Sequence, residues 1–211
     1  MPSSITSKKL DIVATIKEGI TMGMGNIVPI FVNLLLWALT IWIPYLNVGT
    51  TIGLWIGIVS KVSRDEAISM TEIFDSNYRK YMGEYFLTSG LVGIGVCAGI
   101  AFFIIPGIVI GIAWSLAQLL VIDKEKNPTE AITLSNNYTY GNKARMFFIY
   151  FLVFLASGIV MAILGRIPVL GGILGFVVSI LMMFILIGLQ ASIYKQLTEN
   201  TKSSRAAKSH A

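Results

Sequence analysis

Val169 to Ser192 reads VLGGILGFVVSILMMFILIGLQAS, a run of 24 residues with no charged side chain. About 20 apolar residues in a helix cross a hydrocarbon core of about 30 Å, so this run predicts a transmembrane helix. Five more apolar runs precede it: Ile27 to Ile43, Leu46 to Ser60, Leu87 to Ile105, Gly107 to Ile122 and Phe147 to Leu164. None alternates as a barrel strand would, and backbone groups in lipid must be satisfied within a segment, so all six are expected to be helices. The second and fourth runs are short and draw on flanking residues at the interface to span. The fold class expected is therefore all-α: a polytopic bundle of six transmembrane helices.

Composition agrees. The chain of 211 residues is 55% hydrophobic and 13% charged, with a mean hydropathy of +0.76, whereas soluble domains carry about 25% charged residues. Lys8, Lys9, Asp11, Lys17 and Glu18 precede the first run, so that run is expected to be a membrane span rather than a cleavable leader. Cys97 is the single cysteine and lies in an apolar run, which makes it a small hydrophobe and excludes an intrachain disulfide. His210, the single histidine, sits in a polar tail without neighbouring ligands, so no metal site and no cofactor are expected.

The connections divide by charge. Fifteen of the 16 basic residues lie before the first run, after the second, after the fourth or after the sixth; Arg166 alone lies opposite. The positive-inside bias then places both termini in the cytoplasm. The three outer turns each hold a proline: Ile43-Pro44-Tyr45-Leu46, Ile105-Pro106-Gly107-Ile108 and Ile167-Pro168-Val169-Leu170, spaced 62 residues apart. A fixed period argues for three copies of one unit, a cytoplasmic stretch followed by a helical hairpin, since proline ends one helix and suits the first turn of the next. The repeat units expected are 9–62, 63–126 and 127–194, between a cytoplasmic arm 1–26 and a basic tail 195–211. Glu66-Ala67-Ile68-Ser69-Met70 resembles Glu130-Ala131-Ile132-Thr133-Leu134, which adds a second correspondence at a slightly different offset.

The cytoplasmic stretches read as short interfacial helices. Leu10, Val13, Ile16 and Ile20 recur at near-helical spacing, with Lys9, Lys17 and Glu18 elsewhere on the wheel. Asn127-Pro128-Thr129-Glu130 is a helix start, and Ser69-Met70-Thr71-Glu72 offers a capping box. Basic residues beside Tyr78, Tyr81, Tyr85, Phe147 and Phe148 suit an anionic lipid leaflet.

Ile105-Pro106-Gly107, Ala113-Trp114-Ser115-Leu116-Ala117, Val121-Ile122-Asp123, Pro128-Thr129-Glu130-Ala131-Ile132, Ser135, Gly141 and Lys143 form an ordered series. It resembles bacterial multi-pass families of unknown function: the YciC-like family and the membrane domain fused to some glycerophosphodiester phosphodiesterases. The ending Ile193-Tyr194-Lys195-Gln196-Leu197 is similar to their closing Y-x-x-L. The likeness runs from about Ile105 to Leu197. Asn142 stands where those families carry a basic or aromatic residue. The resemblance implies a helical fold in a bacterial cytoplasmic membrane, and it carries no catalytic residue.

Every Asp and Glu lies outside the six runs. No buried acid–base pair, nucleophile or metal cluster is legible, so a non-enzymatic protein is expected, with lipids anionic on the cytoplasmic face, a homo-oligomer or a membrane protein as partners, and no nucleic acid. Among polar residues within the runs, Gln118 and Gln190 are the costliest to place in lipid, followed by Asn33 and Ser115 as members of an intramembrane polar site. Gly95 and Gly99 form a G-x-x-x-G pair, and Gly171 and Gly175 another, which marks helix packing. Three functions follow as alternatives: a scaffold, envelope-maintenance or partner-binding subunit; a permease or channel for a neutral or amphiphilic solute; and a self-protection protein against a membrane-active peptide. In a Cys97→Ser background, Lys126→Cys and Arg166→Cys are expected to label from opposite sides of a sealed membrane; labelling from one side overturns the topology.

Overall fold

The computed structural model describes residues 9–209, with side chains to residue 199, so Lys8, His210 and the last basic side chains lie outside it. Among the described residues all regular structure is helical. Asp11 starts α1 (Ile12–Gly25) by accepting the Ala14 N–H at 2.8 Å. α2 (Ile27–Thr40) follows at an angle of 68°. α3 (Pro44–Ile52) runs through a π-helical turn (Gly53–Gly57) into α4 (Ile58–Ser63), with helical dihedrals at each junction. A 3₁₀ turn (Glu72–Phe74) and the single turn α5 (Asn77–Lys80) lead to α6 (Met82–Phe102), α7 (Ile104–Trp114) and α8 (Ala117–Lys124). α9 (Pro128–Thr139), α10 (Lys143–Leu164) and α11 (Leu170–Ser209) complete the chain.

Four helical stretches are long and apolar enough to cross a membrane: Met82–Phe102, Ile104–Lys124, Lys143–Leu164 and Leu170–Glu199. The bent pair α1 and α2 makes a fifth if it is one span. α2 alone, at 14 residues, is about 21 Å long, short of a bilayer core. From Gly49 onward the rod 44–63 is enclosed by its neighbours except at Trp55, with Ile52, Leu54 and Ile58 fully buried, while Pro44 and Tyr45 are exposed; a helix apolar on all sides belongs in such a position. Phe102, Phe103, Ile104, Ile105, Phe154 and Phe176 are exposed instead. Contiguous apolar surface of this extent requires lipid, and the chain is a membrane protein on that ground.

The turns depart from the proline register. Pro44 is the first residue of α3, as the sequence suggests. Pro106, expected in a turn, sits instead in the first turn of α7; the reversal falls at Phe103, whose φ of −161° and ψ of 151° are extended. The displacement is tolerated because first-turn N–H groups have no intrahelical partner. Gly107, expected in the same turn, is inside α7, where a Cβ on Gly99 would come within 2.8 Å of its Cα. Pro168 precedes α11 with Val169 at φ 60°, a strained conformation for a β-branched residue.

Packing around α11 is the other departure. Thr15, Gly19 and Gly23, one turn apart along α1, are buried against α11, and a Cβ on Gly19 would stand 2.7 Å from Leu189 Cα. Gly188 answers from α11, in backbone contact with Gly19 and Gly23. Of the apolar stripe, Val13 and Ile20 are exposed, while Leu10 is buried and Ile16 packs at the edge of the core; the face of α1 set against α11 is the small one. α11 continues as helix through the expected boundary at residue 195. Gly188→Val is predicted to cost about 1 to 3 kcal/mol by overpacking this crossing, read as a lower thermal midpoint in detergent. Gly172→Ala, where a Cβ meets open space, should leave the midpoint unchanged.

Candidate functional site

At the charged end, α4, α8 and α11 converge on one carboxylate. Asp123, with a side chain 6% exposed, forms an ion pair with Arg64. Ser60 Oγ donates to its Oδ1 at 2.5 Å, and the Tyr194 hydroxyl donates to its Oδ2 at 2.6 Å. Arg64 turns its remaining edge to Glu66, with Nε to Oε1 at 2.7 Å and an Nη to Oε2 at 3.0 Å; this hydrogen bond holds the Glu66 carboxyl below its ordinary range. A second buried carboxylate, Glu72, accepts from Lys61 at 2.8 Å and from the Tyr78 hydroxyl at 2.6 Å. Burial first and Glu72 second push the Tyr78 hydroxyl well above its ordinary range. Lys195 and Asp65 close the rim at 2.6 Å. A shallow pocket of about 280 Å³ lies beside these groups, bordered by Lys61, Arg64, Asp75, Tyr81, Asp123 and Glu125.

One helical turn deeper along α8 and α11 the surroundings change. A cavity of about 250 Å³ is walled by Trp55, Ile56, Val59, Leu119, Leu186 and Ile187, with Ser115, Gln118, Tyr150 and Gln190 as its polar groups. It adjoins the break between α7 and α8. There the Leu116 N–H donates to Ser135 Oγ at 3.1 Å, Ser135 Oγ donates to the Ala113 carbonyl at 2.7 Å, and Gln190 Nε2 donates to the Ser115 carbonyl at 3.2 Å. The Tyr150 hydroxyl donates to Gln190 Oε1. Gln118 Nε2 donates to Ser89 Oγ at 2.8 Å, and Ser89 in turn to the Tyr85 carbonyl. A helix can break at membrane depth when neighbouring side chains take over its freed backbone groups, and Ser135 and Gln190 do that here.

Gln118, Gln190 and Ser115 therefore meet, as an intramembrane polar site requires. Asn33 does not join them: it donates to the Ser69 carbonyl at 2.8 Å and accepts the Ile73 N–H at 3.1 Å, clamping the 69–73 segment onto α2. That segment is not an interfacial helix. Glu72 reaches back to the Ser69 N–H at 3.3 Å, as a capping box would, but it is drawn inward by Lys61 and Tyr78, and the backbone makes one 3₁₀ turn. Asn127 caps α9 by accepting the Glu130 N–H at 2.9 Å, while the Glu130 carboxylate turns to Lys126 at 3.6 Å. Gly95 admits the Trp114 ring, Gly99 the backbone of Gly107, and Gly171 the Leu164 carbonyl; Gly175 meets the Met161 side chain, with a Cβ there 3.3 Å from its Cε. Asp123 and Tyr194 escaped the sequence reading as a pair, since 71 residues separate them. Thr15, Gly19 and Gly23 carried a legible signal in their four-residue spacing.

Fold and cavity together define a helical membrane protein with a largely apolar cavity, carrying four polar side chains, at the break of one of its long apolar helices. The chain matches no protein-family model, no curated protein and no solved structure. Removing the Asp123 carboxylate leaves Arg64, Ser60 and Tyr194 without their shared acceptor, so Asp123→Ala is predicted to cost about 3 kcal/mol. The measurement is the thermal midpoint in detergent, with Asp123→Asn recovering part of the loss.

Proposed function

We propose that the chain is a non-enzymatic membrane protein with six crossings, arranged as three hairpins, that binds or conducts a neutral or amphiphilic solute at the Gln118 and Gln190 cavity. Both termini lie in the cytoplasm, and the membrane is a bacterial cytoplasmic one. The convergence of two carboxamides, a tyrosine and a broken helix on one apolar cavity carries this reading, because broken helices and convergent polar groups in an apolar wall are the common form of intramembrane solute sites. The rod 44–63 supplies the crossing beyond the five apolar stretches. The ion-paired residues at one end and Arg166 beyond the far end of α10 support the orientation through the positive-inside bias. The likeness of residues 105–197 to the YciC-like families fits the same membrane and fold.

The test is flux in proteoliposomes, with glycerol and a fluorescent monoacylglycerol as probes. Gln118→Leu and Gln190→Leu are expected to lower flux about tenfold, the equivalent of one hydrogen bond of about 1.4 kcal/mol. Unchanged flux in both variants removes the solute reading.

A second reading, a partner-binding subunit, is favoured by α6. Gly90, Gly93 and Cys97 share an exposed face there, and a Cβ on either glycine meets open space. Small residues on a lipid-facing helix permit close approach of another helix. If the partner is a second copy, Cys97 is expected to cross-link under mild oxidation in native membranes, and Gly93→Leu to abolish the cross-link. Absence of any cross-link in the unaltered chain counts against a dimer through this face.

A further inference from the structure

Resting on the solute reading above, we infer that the cavity takes the uncharged, hydrogen-bonding head of a single-chain amphiphile, such as a long-chain alcohol, ester or amide, and discriminates against ionised heads on the same chain.

The wall contains no Asp, Glu, Lys, Arg or His. The charged groups one turn away are committed: Asp123 to Ser60, Arg64 and Tyr194, and Arg64 also to Glu66. The cavity wall on α4 and α8 is apolar and buried at Val59 and Leu119, each at most 2% exposed. A carboxylate or ammonium seated here would lose hydration and gain no opposite charge, which costs far more than seating a neutral head. A hydroxyl, ester or amide meets different conditions. Beyond the bonds already described, and the Ser115 hydroxyl's bond to the Ile112 carbonyl, Gln118 Oε1 can accept and the second N–H of each carboxamide can donate, so a neutral head exchanges its water hydrogen bonds for these.

Size and lining describe the rest of the ligand. At about 250 Å³, the cavity is below the 300 to 1,000 Å³ usual for drug-sized ligands. A half-open recess of this size suits a head and the first part of one chain. Ile56, Leu119, Leu186 and Ile187 provide the apolar side. Trp55, 39% exposed in the π-helical turn, forms the rim. That turn is itself pressed from behind, because a Cβ on Gly53 would stand 2.8 Å from Ile73 Cα and one on Gly57 would strike the Tyr78 ring. π-helical turns of this kind are frequent at functional sites.

The experiment uses the full chain in nanodiscs of a zwitterionic lipid, with four brominated amphiphiles of identical chain length as probes: an alcohol, a methyl ester, a carboxylate and a trimethylammonium. Bromine quenches tryptophan, so the signal is the fluorescence loss of the unaltered protein minus that of Trp55→Phe, plotted against mole fraction of probe in the bilayer. The alcohol and ester are expected to saturate at a mole fraction at least tenfold lower than the two ionised probes. Gln118→Leu is expected to erase that preference without disturbing the fold, since Gln118 bonds to Ser89 and not to the helix break; Gln190→Leu should do the same at some loss of stability. Charged probes saturating as low as neutral ones overturn the inference while leaving a solute site in place. A neutral preference that survives both glutamine variants overturns it as well. Linear, unsaturable quenching by all four probes removes the site and the solute reading together. Saturable neutral binding without flux retains the ligand class and removes transport.

Discussion

The carboxylate of Asp123 is the joint on which the charged end depends. It stands at the end of α8 and takes hydrogen bonds from α4 and α11 and an ion pair from Arg64 just beyond α4. Three elements distant in sequence are tied through one 6% exposed group. Such a group is costly to bury alone and stable when every lone pair is occupied. Glu72 repeats the solution with Lys61 and Tyr78. Together they tie the 64–81 segment to α4, α8 and α11.

Above that end, the bilayer sets the terms. Without water, each freed backbone group needs a protein partner, and the break between α7 and α8 finds them in Ser135 of α9 and Gln190 of α11. Of these two side chains, Gln190 also lines the cavity, whereas Ser135 does not. Gln118 lines the cavity and takes no part in the repair, bonding instead to Ser89. Close contact elsewhere rests on glycine: Gly19, Gly23 and Gly188 bring α1 onto α11 at backbone distance, where van der Waals contact replaces the hydrophobic effect as the attraction between helices.

Much of this was legible beforehand in the residues themselves. The last four apolar runs reappear as the helical stretches of membrane length Met82–Phe102, Ile104–Lys124, Lys143–Leu164 and Leu170–Glu199, because a helix in lipid must satisfy its backbone locally and the apolar run reports that need directly. Asn127 as a cap and Gly99 as a contact were readable for the same reason, being decided within a few residues. The 64–81 segment was not. Its residues look like a capping box and an amphipathic turn, yet Asn33 and Lys61 pull it inward, and neither pull is written in the local pattern. Pro106 shows the limit in another form: proline marks the neighbourhood of a turn, while the exact reversal at Phe103 was set by how Gly99 and Gly107 nest.

The sequence by itself determined the helical class, the apolar segments and the gathering of charge between particular runs, since each depends on composition over a span of about 20 residues. Tertiary structure alone decided that Asp123, Arg64 and Tyr194 form one cluster, that Gln118 and Gln190 share a cavity while Asn33 does not, and that α1 turns its small face inward. Those outcomes depend on which helix faces which, and helix pairing is fixed by close packing among segments up to 181 residues apart, as between Thr15 and Gln196.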